Sequence, residues 1–424
     1  MIKIILLIAF YVLFPLLIIF ICKKWSFFRK IGTIVLAYGF GLVLGSSGIF
    51  PEGSTQYKIA LQGRSAIPSA EMQTLVAGGK LPQDDVFVNQ IATVQDLIPS
   101  VAVPLAFPLL LFSLNLKRWL RFAKKGFISV ILALVAGVVM VTLGFFIWKD
   151  SIPESWKLAG MFEGIYAGGT PNFVAIKMAL NVDPNLFIIV STYDVVVGAF
   201  LVLFFITVAP KFFRLILPAY KYEKNVAFSD DEIKKETDDL EDFSGFFSKG
   251  RLLPLAGALG LSFVIVAIGL GLTFLFPKVP MMVVVILSIT TLGILASFIP
   301  KVNRIEKTFQ LGMYLILVFS LTVASMANIK SMFGVGMLSL IMFITWCYFG
   351  SMLFHLLLAK IFRIDADNFL ITSAAFVFSP PFVPLVANAL KNRELIVTGI
   401  TGGILGYVLG NYMGVALAYF LKGF

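Results

Sequence analysis

The sequence predicts an all-α polytopic membrane protein made of two inverted five-helix repeats, each carrying a broken, re-entrant hairpin. Three observations lead there. The 424 residues are 59% hydrophobic and 13% charged, with mean hydropathy +0.95, whereas a soluble domain carries about 25% charged residues. Apolar runs of transmembrane length recur along the chain. Two further apolar stretches, 155–181 and 364–390, are interrupted by glycine and proline at matching places.

A transmembrane helix needs about 20 mostly apolar residues. That length places spans at 2–22, 31–49, 93–114, 126–148, 183–209, 253–276, 280–299, 308–328, 332–359 and 394–421. The first run ends on Lys23 and Lys24 rather than on a small-residue cleavage site, so it reads as a retained helix and not a signal peptide. Residues 51–90 are polar and contain Gly, Ser and Pro; they read as an inserted loop. Residues 211–251 include EKNVAFSDDEIKKETDDLEDF. They read as a solvated, partly helical cytoplasmic linker, with a regulatory or partner-binding role as the alternative.

A shift of 210 residues lays the second half on the first without a gap. Segment 155–181 falls on 365–391, Pro171 on Pro381, and Ala179-Leu180 on Ala389-Leu390. The first two spans need a longer shift, the difference being 51–90. The chain thus divides into a first repeat (1–210, with insert 51–90 and hairpin 155–181), the linker 211–251, and an inverted second repeat (252–424, with hairpin 364–390).

Lys and Arg gather in cytoplasmic loops. If both broken segments return to the side they entered, 24 basic residues fall inside, including Arg29, Lys30, Lys117, Arg118, Arg121 and Arg393, and 9 fall outside, including Lys330. Two full crossings would instead put the basic loops of the second half outside. The count favours hairpins and places both termini outside. Trp148 and Trp156 then mark the outer boundary, and Trp25 and Trp119 the inner one.

The stretch IYAGGTPNFVAIKMAL, 165–180, is read as the first hairpin tip. Non-helical backbone at membrane depth persists only where protein buries it or it lines a cavity. Gly168 and Gly169 let the chain turn, Thr170 and Asn172 supply a hydroxyl and an amide, and Pro171 removes a donor. The second tip, Ser379-Pro380-Pro381, is stiff and poor in polar groups, so the first is expected to hold more of a ligand. Simple loops joining short helices are the plainer alternative for both.

Ionisable groups at this depth are functional candidates. Asp194, beside Ser191 and Thr192, is the first choice as a cation or proton ligand. A structurally held carboxylate is the alternative. Glu163 and Lys177 flank the first tip; they either pair, or Lys177 snorkels outward. By the 210-residue shift, Ser373 replaces Glu163 and Ile404 replaces Asp194, which puts the ion site nearer the first repeat. Asn411 and Asn388 either line the cavity or bridge helices. The single histidine, His355, reads as a satisfied structural group before a proton relay. Asp365 and Asp367 read as helix-start acids. Gly41, Gly45, Gly402, Gly403, Gly406 and Gly410 read as close-packing positions.

One histidine and two cysteines, Cys22 and Cys347, leave little material for an enzyme, a transition-metal site or a disulfide framework. No basic stripe with interleaved aromatics suggests nucleic acid, and no nucleotide-binding loop of the Walker type suggests ATP drive.

GGTPNFVAI, STYDVVVG at 191–198 and GGILGYVLGNYMG at 402–414 resemble a bacterial membrane-protein family, that of domain of unknown function 819. This family is similar to the sodium–glutamate, citrate and bile-acid symporters, within the cation–proton antiporter and anion transporter superfamily. Relatives usually carry Gly-Gly-Pro at the second tip also; Ser379-Pro380-Pro381 departs from that. The resemblance implies an ion-coupled transporter of the bacterial inner membrane and suggests a homodimer.

The expectation is a secondary transporter of a small polar or anionic solute, coupled to Na⁺ or H⁺ and without other cofactors. Its substrate contacts are Gly168, Gly169, Thr170, Pro171, Asn172, Ser379, Pro380, Pro381 and Asn411. Its ion ligands are Asp194, Glu163, Thr192 and Ser191. The alternative is a cation–proton antiporter or channel without organic substrate, which would need interacting carboxylates.

Overall fold

The computed structural model describes residues 2–25, 27–28, 32–61, 64, 66–113, 124–220, 243–246, 248–326, 337–378, 380–392 and 394–424. Arg29, Lys30, Lys117, Arg118, Trp119, Arg121, Lys330, Ser379, Arg393 and linker residues 221–242 lie outside the described residues. In chain order the helices are α1 (Ile2–Lys24), α2 (Thr33–Ser46), α3 (Thr55–Leu61), α4 (Ser69–Ala77), α5 (Asp84–Phe112), α6 (Lys124–Trp148), α7 (Ser155–Leu180), α8 (Pro184–Thr207) and α9 (Ala209–Ile216). They continue with α10 (Lys249–Leu272), α11 (Met281–Ser297), the one-turn α12 (Pro300–Asn303), α13 (Thr308–Ala324), α14 (Met337–Thr345), α15 (Ser351–Ile361), α16 (Ala366–Val377), α17 (Val383–Leu390) and α18 (Leu395–Leu421). A π-helical turn, Trp346–Gly350, joins α14 to α15. No strand occurs among the described residues.

Seven of these segments are long and apolar enough to cross a membrane: α1, α5, α6, α8, α10, α14 with α15, and α18. At three other expected spans stand α2, α11 and α13, apolar but only 14, 17 and 17 residues long. α5 begins at Asp84 rather than 93. Its polar first turns belong to the stretch 51–90, which is not a plain loop. α3 and α4 pack there around Tyr57, Ile67, Met72 and Leu81. Asn89 ties the stretch together: it accepts from Tyr57 Oη at 2.9 Å and brackets Ile67 through its N–H and C=O, both at 2.8 Å. Asp85 accepts from Ser54 N and Oγ at 2.9 and 2.6 Å.

The chain forms two compact units. The first comprises Met1–Ala106, Asp183–Thr192 and Met313–Gly334. Its buried polar knot is Tyr11 Oη against Ser325 Oγ at 2.6 Å, with Gln95 Nε2 donating to both. A Cβ on Gly41 would fall 2.5 Å from Leu321 O, so α2 rests directly on the backbone of α13.

The second unit comprises Phe107–Val182, Tyr193–Gly312 and Val335–Phe424 and holds both broken segments. In α7, Gly169 sits at φ 70°, ψ −163°, a conformation open essentially to glycine alone. There the chain doubles back. A Cβ on Gly164 would fall 2.1 Å from Ile176 Cδ1, and the rings of Phe162 and Phe173 lie 5.9 Å apart. Lys157 Nζ donates to Asn181 O at 3.0 Å; a straight helix would hold those residues about 36 Å apart. The two arms fold against each other about Gly169.

The second segment also closes on itself. α16 starts at Asp365, which caps Asn368 N at 2.9 Å; a one-turn 3₁₀ helix, Pro380–Phe382, makes the tip. At the mouth, Arg214 of α9 donates to Asp367 Oδ1 at 2.9 Å and to Leu390 O at 3.0 Å. Asn392 Nδ2 adds a bond to Asp367 Oδ2 at 3.0 Å. Asp367, expected as a helix-start acid, is thus the anchor of this mouth. Each hairpin ends on a left-handed cap, Asn181 at φ 47° and Lys391 at φ 57°, one shift of 210 apart.

Candidate functional site

Both tips meet α18. Its glycines lie on one stripe and take the two hairpins in turn. A Cβ on Gly399 would fall 2.5 Å from Ile371 Cγ2, and one on Gly403 2.8 Å from Pro380 Cγ. Towards the other end, a Cβ on Gly406 would fall 1.6 Å from Ala167 O, and one on Gly414 2.5 Å from Gly160 O. Small residues here admit backbone-to-backbone contact. Across the tips, Tyr166 stacks on Phe376 at 6.2 Å, and Ala167, Phe376 and Leu405 share one core with Val130, Ala133 and Leu134 of α6.

Gly168 and Asn172 come together at this seam. Asn172 is wholly buried; its Nδ2 donates to Gly406 O at 3.0 Å, and its Oδ1 has no partner. A Cβ on Gly168 or Gly410 would each fall 2.2 Å from Asn172 Nδ2. Gly168, Gly169 and Pro171 are buried, and Thr170 is half-buried. Pro380 lies on Gly403, and Pro381 in the same 3₁₀ turn.

Glu163 occupies another face of the first arm. It is fully buried, and neither carboxyl oxygen has a hydrogen-bond partner. The hydroxyl of Tyr166, one turn on, is also unpartnered. Both face Gly137 of α6, where a Cβ would fall 3.0 Å from Glu163 Oε2 and 2.7 Å from the Tyr166 ring. The pairing with Lys177 that the sequence allowed is not made. Lys177, 8% exposed, contacts Met178 Sδ at 3.9 Å. A buried carboxylate without donors is costly, so this one calls for a proton or a cation.

Asp194 is held differently. Tyr348 Oη, from the π-helical turn, donates to its Oδ1. The Tyr348 ring packs on Phe162 at 6.2 Å, beside Glu163 in sequence. No bond joins Asp194 to Glu163. The hydroxyls of Ser191 and Thr192 donate within their own helix, to Phe187 O at 2.7 Å and Ile188 O at 2.9 Å; only their lone pairs remain for an ion. Asn411 is buried and donates to Thr290 Oγ1 of α11 at 3.1 Å, leaving its Oδ1 unpartnered. It bridges helices, apart from the Asn172 seam. Asn388 is exposed.

His355 is fully buried between two hydroxyls, Ser129 at 3.3 Å and Ser373 at 3.1 Å. Ser373 is the residue that the 210-residue shift in sequence lays on Glu163. Sequence reasoning passed over Tyr348, Gly137, Thr290 and Arg214. A tyrosine and a glycine inside apolar spans were visible as irregularities; their pairings across the chain were not. Among the described residues no group of three or more His, Cys, Asp or Glu could hold a metal ion.

Apolar helices of spanning length, buried broken helices and carboxyl groups kept among them define an integral membrane protein. Residues 65–424 match the family described as a protein of unknown function, DUF819, and the chain belongs to that family. It is also similar to the "Uncharacterized membrane protein YjcL" of Bacillus subtilis (strain 168), 26% identical over 346 residues, covering 78% of this chain and 84% of that protein.

Proposed function

We propose that the chain is an ion-coupled secondary transporter of a small polar or anionic solute, in the bacterial cytoplasmic membrane with both termini outside. The hairpins are re-entrant from opposite faces and belong to inverted repeats. Broken helices in corresponding positions of two inverted halves are how such transporters build a midplane site. One observation carries the reading: Glu163 and Asn172 present unpartnered oxygens, fully buried, on either side of the Gly169 break. Carboxyl and amide oxygens without donors suit Na⁺ or a proton. Once the cation is bound, the polar groups of the first tip are free of a neighbouring negative charge and accept the solute. Alternating access moves the hairpin-bearing bundle. Asp194 is the second cation ligand; Tyr348 occupies one of its oxygens and leaves the other.

The antiporter alternative needs interacting carboxylates; Tyr348 holds Asp194, the Glu163 oxygens have no hydrogen-bond partner, and no hydrogen bond joins the two acids. That favours symport.

The test is the thermal stability of detergent-purified protein with Na⁺ exchanged for choline, and separately across pH. A ligand of the folded state present at 100 times its Kd adds about 2.7 kcal/mol. Na⁺-specific stabilisation lost in Glu163→Gln and reduced in Asp194→Asn supports sodium coupling. A pH-dependent midpoint abolished in the same variants supports proton coupling. Indifference of the wild type to both would overturn the ion site.

A further inference from the structure

On one face of α14, the π-helical turn and α15, Ile341, Thr345, Phe349, Leu353 and Leu357 recur every four residues and line a cavity of about 610 Å³. Sixteen residues of helix run about 24 Å, so the cavity is a long groove rather than a compact pocket. Its volume is within the usual range for ligand sites. None of its lining residues is charged, and Thr345 carries the one hydroxyl among them. Leu353 and Leu357 are more than half exposed, so the groove opens sideways from the helix pair.

One end is built differently. Trp148, the last residue of α6, stands there against Trp346, ring centroids 6.0 Å apart. Trp346 is pinned by Nε1 donating to Met140 O at 2.9 Å. Lys149 follows directly. It donates to Phe424 O at 3.0 Å, and an ammonium has three donors, so others remain. Tryptophan and lysine at a helix end mark the headgroup level.

We propose that this groove is a phospholipid site: one acyl chain lies along it from Trp148 to Leu357, and the lipid phosphate meets Lys149. An elongated apolar groove fits an extended chain, and the Lys149 ammonium next to Trp148 at its tryptophan end fits the anionic group attached to that chain. The occupant also braces the π-helical turn. Trp346, Phe349 and Gly350 of that turn line the groove, while Tyr348 of the same turn holds Asp194. The lipid site stands whether or not Asp194 binds a cation.

Native mass spectrometry of the full chain, purified in mild detergent and titrated with phosphatidylglycerol, tests this. Wild type should retain one lipid per chain. Leu353→Trp and Leu357→Trp, which fill the groove from its exposed rim, should weaken retention about tenfold; Lys149→Ala should weaken it less. Leu203→Trp, exposed on α8, should leave it unchanged, with thermal midpoints confirming that each variant is folded. Equal retention by wild type and both groove-filling variants, or no specific lipid on wild type, overturns the site. Retention that ignores Lys149→Ala but persists with free oleate overturns the phosphate contact and with it the phospholipid assignment.

Discussion

At the mouth of the first hairpin Lys157 reaches the Asn181 carbonyl itself. At the corresponding place 210 residues on stands Asp367. A carboxylate cannot donate to a carbonyl, and the second mouth is closed by a guanidinium from outside the hairpin, Arg214, bonded to Asp367 and Leu390 together. The tips differ as well. The first turns on a glycine conformation and carries Asn172; the second turns on Pro380 and Pro381, with Phe382 where Asn172 would be. The acid Glu163, with no partner, corresponds to Ser373, bonded to His355. The first hairpin keeps Glu163, Tyr166 and Asn172 with unpartnered polar atoms and closes by itself; the second keeps Asn368 Oδ1 unpartnered near its mouth, has Ser373 bonded to His355, and is fastened by Arg214 of α9. On the proposed function the first arm is the ligand-ready one and the second is the braced one.

The contrast breaks most readily along α18. Gly406→Leu puts side-chain atoms where Ala167 O stands, and its expected cost is about 3 kcal/mol or more. Val196, its counterpart on α8, is half exposed, so Val196→Leu should shift stability by no more than about 0.5 kcal/mol. Thermal midpoints of the two variants decide; equal losses would contradict a seam specific to the first hairpin.

The mouths should differ next. Arg214→Ala strands Asp367, which is 5% exposed, whereas Arg214 itself is 46% exposed. Discounted for that exposure, the expected loss is about 2–3 kcal/mol. Asp367→Asn in the same background should recover part of it, because no charge is then left unpaired. Lys157→Ala removes the bond to the Asn181 carbonyl and a partly exposed ion pair with Glu154, and should cost about 1 kcal/mol. Denaturation of these variants that ranked Lys157→Ala above Arg214→Ala would reverse the assignment.

The smallest effect lies in the 51–90 stretch. Burial, and then the charge of Asp85, push the Tyr57 hydroxyl from 10.0 up to about 12. A folded-state value above the unfolded one stabilises fully below the unfolded value and is lost as pH rises through the folded one. The stretch should therefore hold to about pH 10 and loosen towards pH 12, seen as faster proteolysis near α3 and α4; Tyr57→Phe should flatten that dependence.

Much of this was legible in the chain. Apolar length marked the places of the spans, and Gly168-Gly169-Thr170-Pro171 marked the break because no helix interior tolerates that run. What was not legible is long-range. Nothing near Asp367 in sequence points to Arg214, 153 residues away. A π-helical turn shifts hydrogen bonds without changing composition, so Tyr348 looked like any aromatic in a span. The helices α3 and α4 are short and polar outside, and their packing on Asn89 decides them rather than periodicity. Ser191 and Thr192 looked like ion ligands, and the structure commits their hydroxyl protons to the helix.

On the proposed function the coupling ion acts at the first hairpin and not at its counterpart. The most direct measurement compares cation- and pH-dependent thermal shifts of Glu163→Gln and Ser373→Ala, equivalent positions in the two hairpins. The shift of the wild type should vanish in Glu163→Gln and persist in Ser373→Ala, which loses only the bond to His355. A shift retained in Glu163→Gln and lost in Ser373→Ala would contradict it and move the site to the second hairpin.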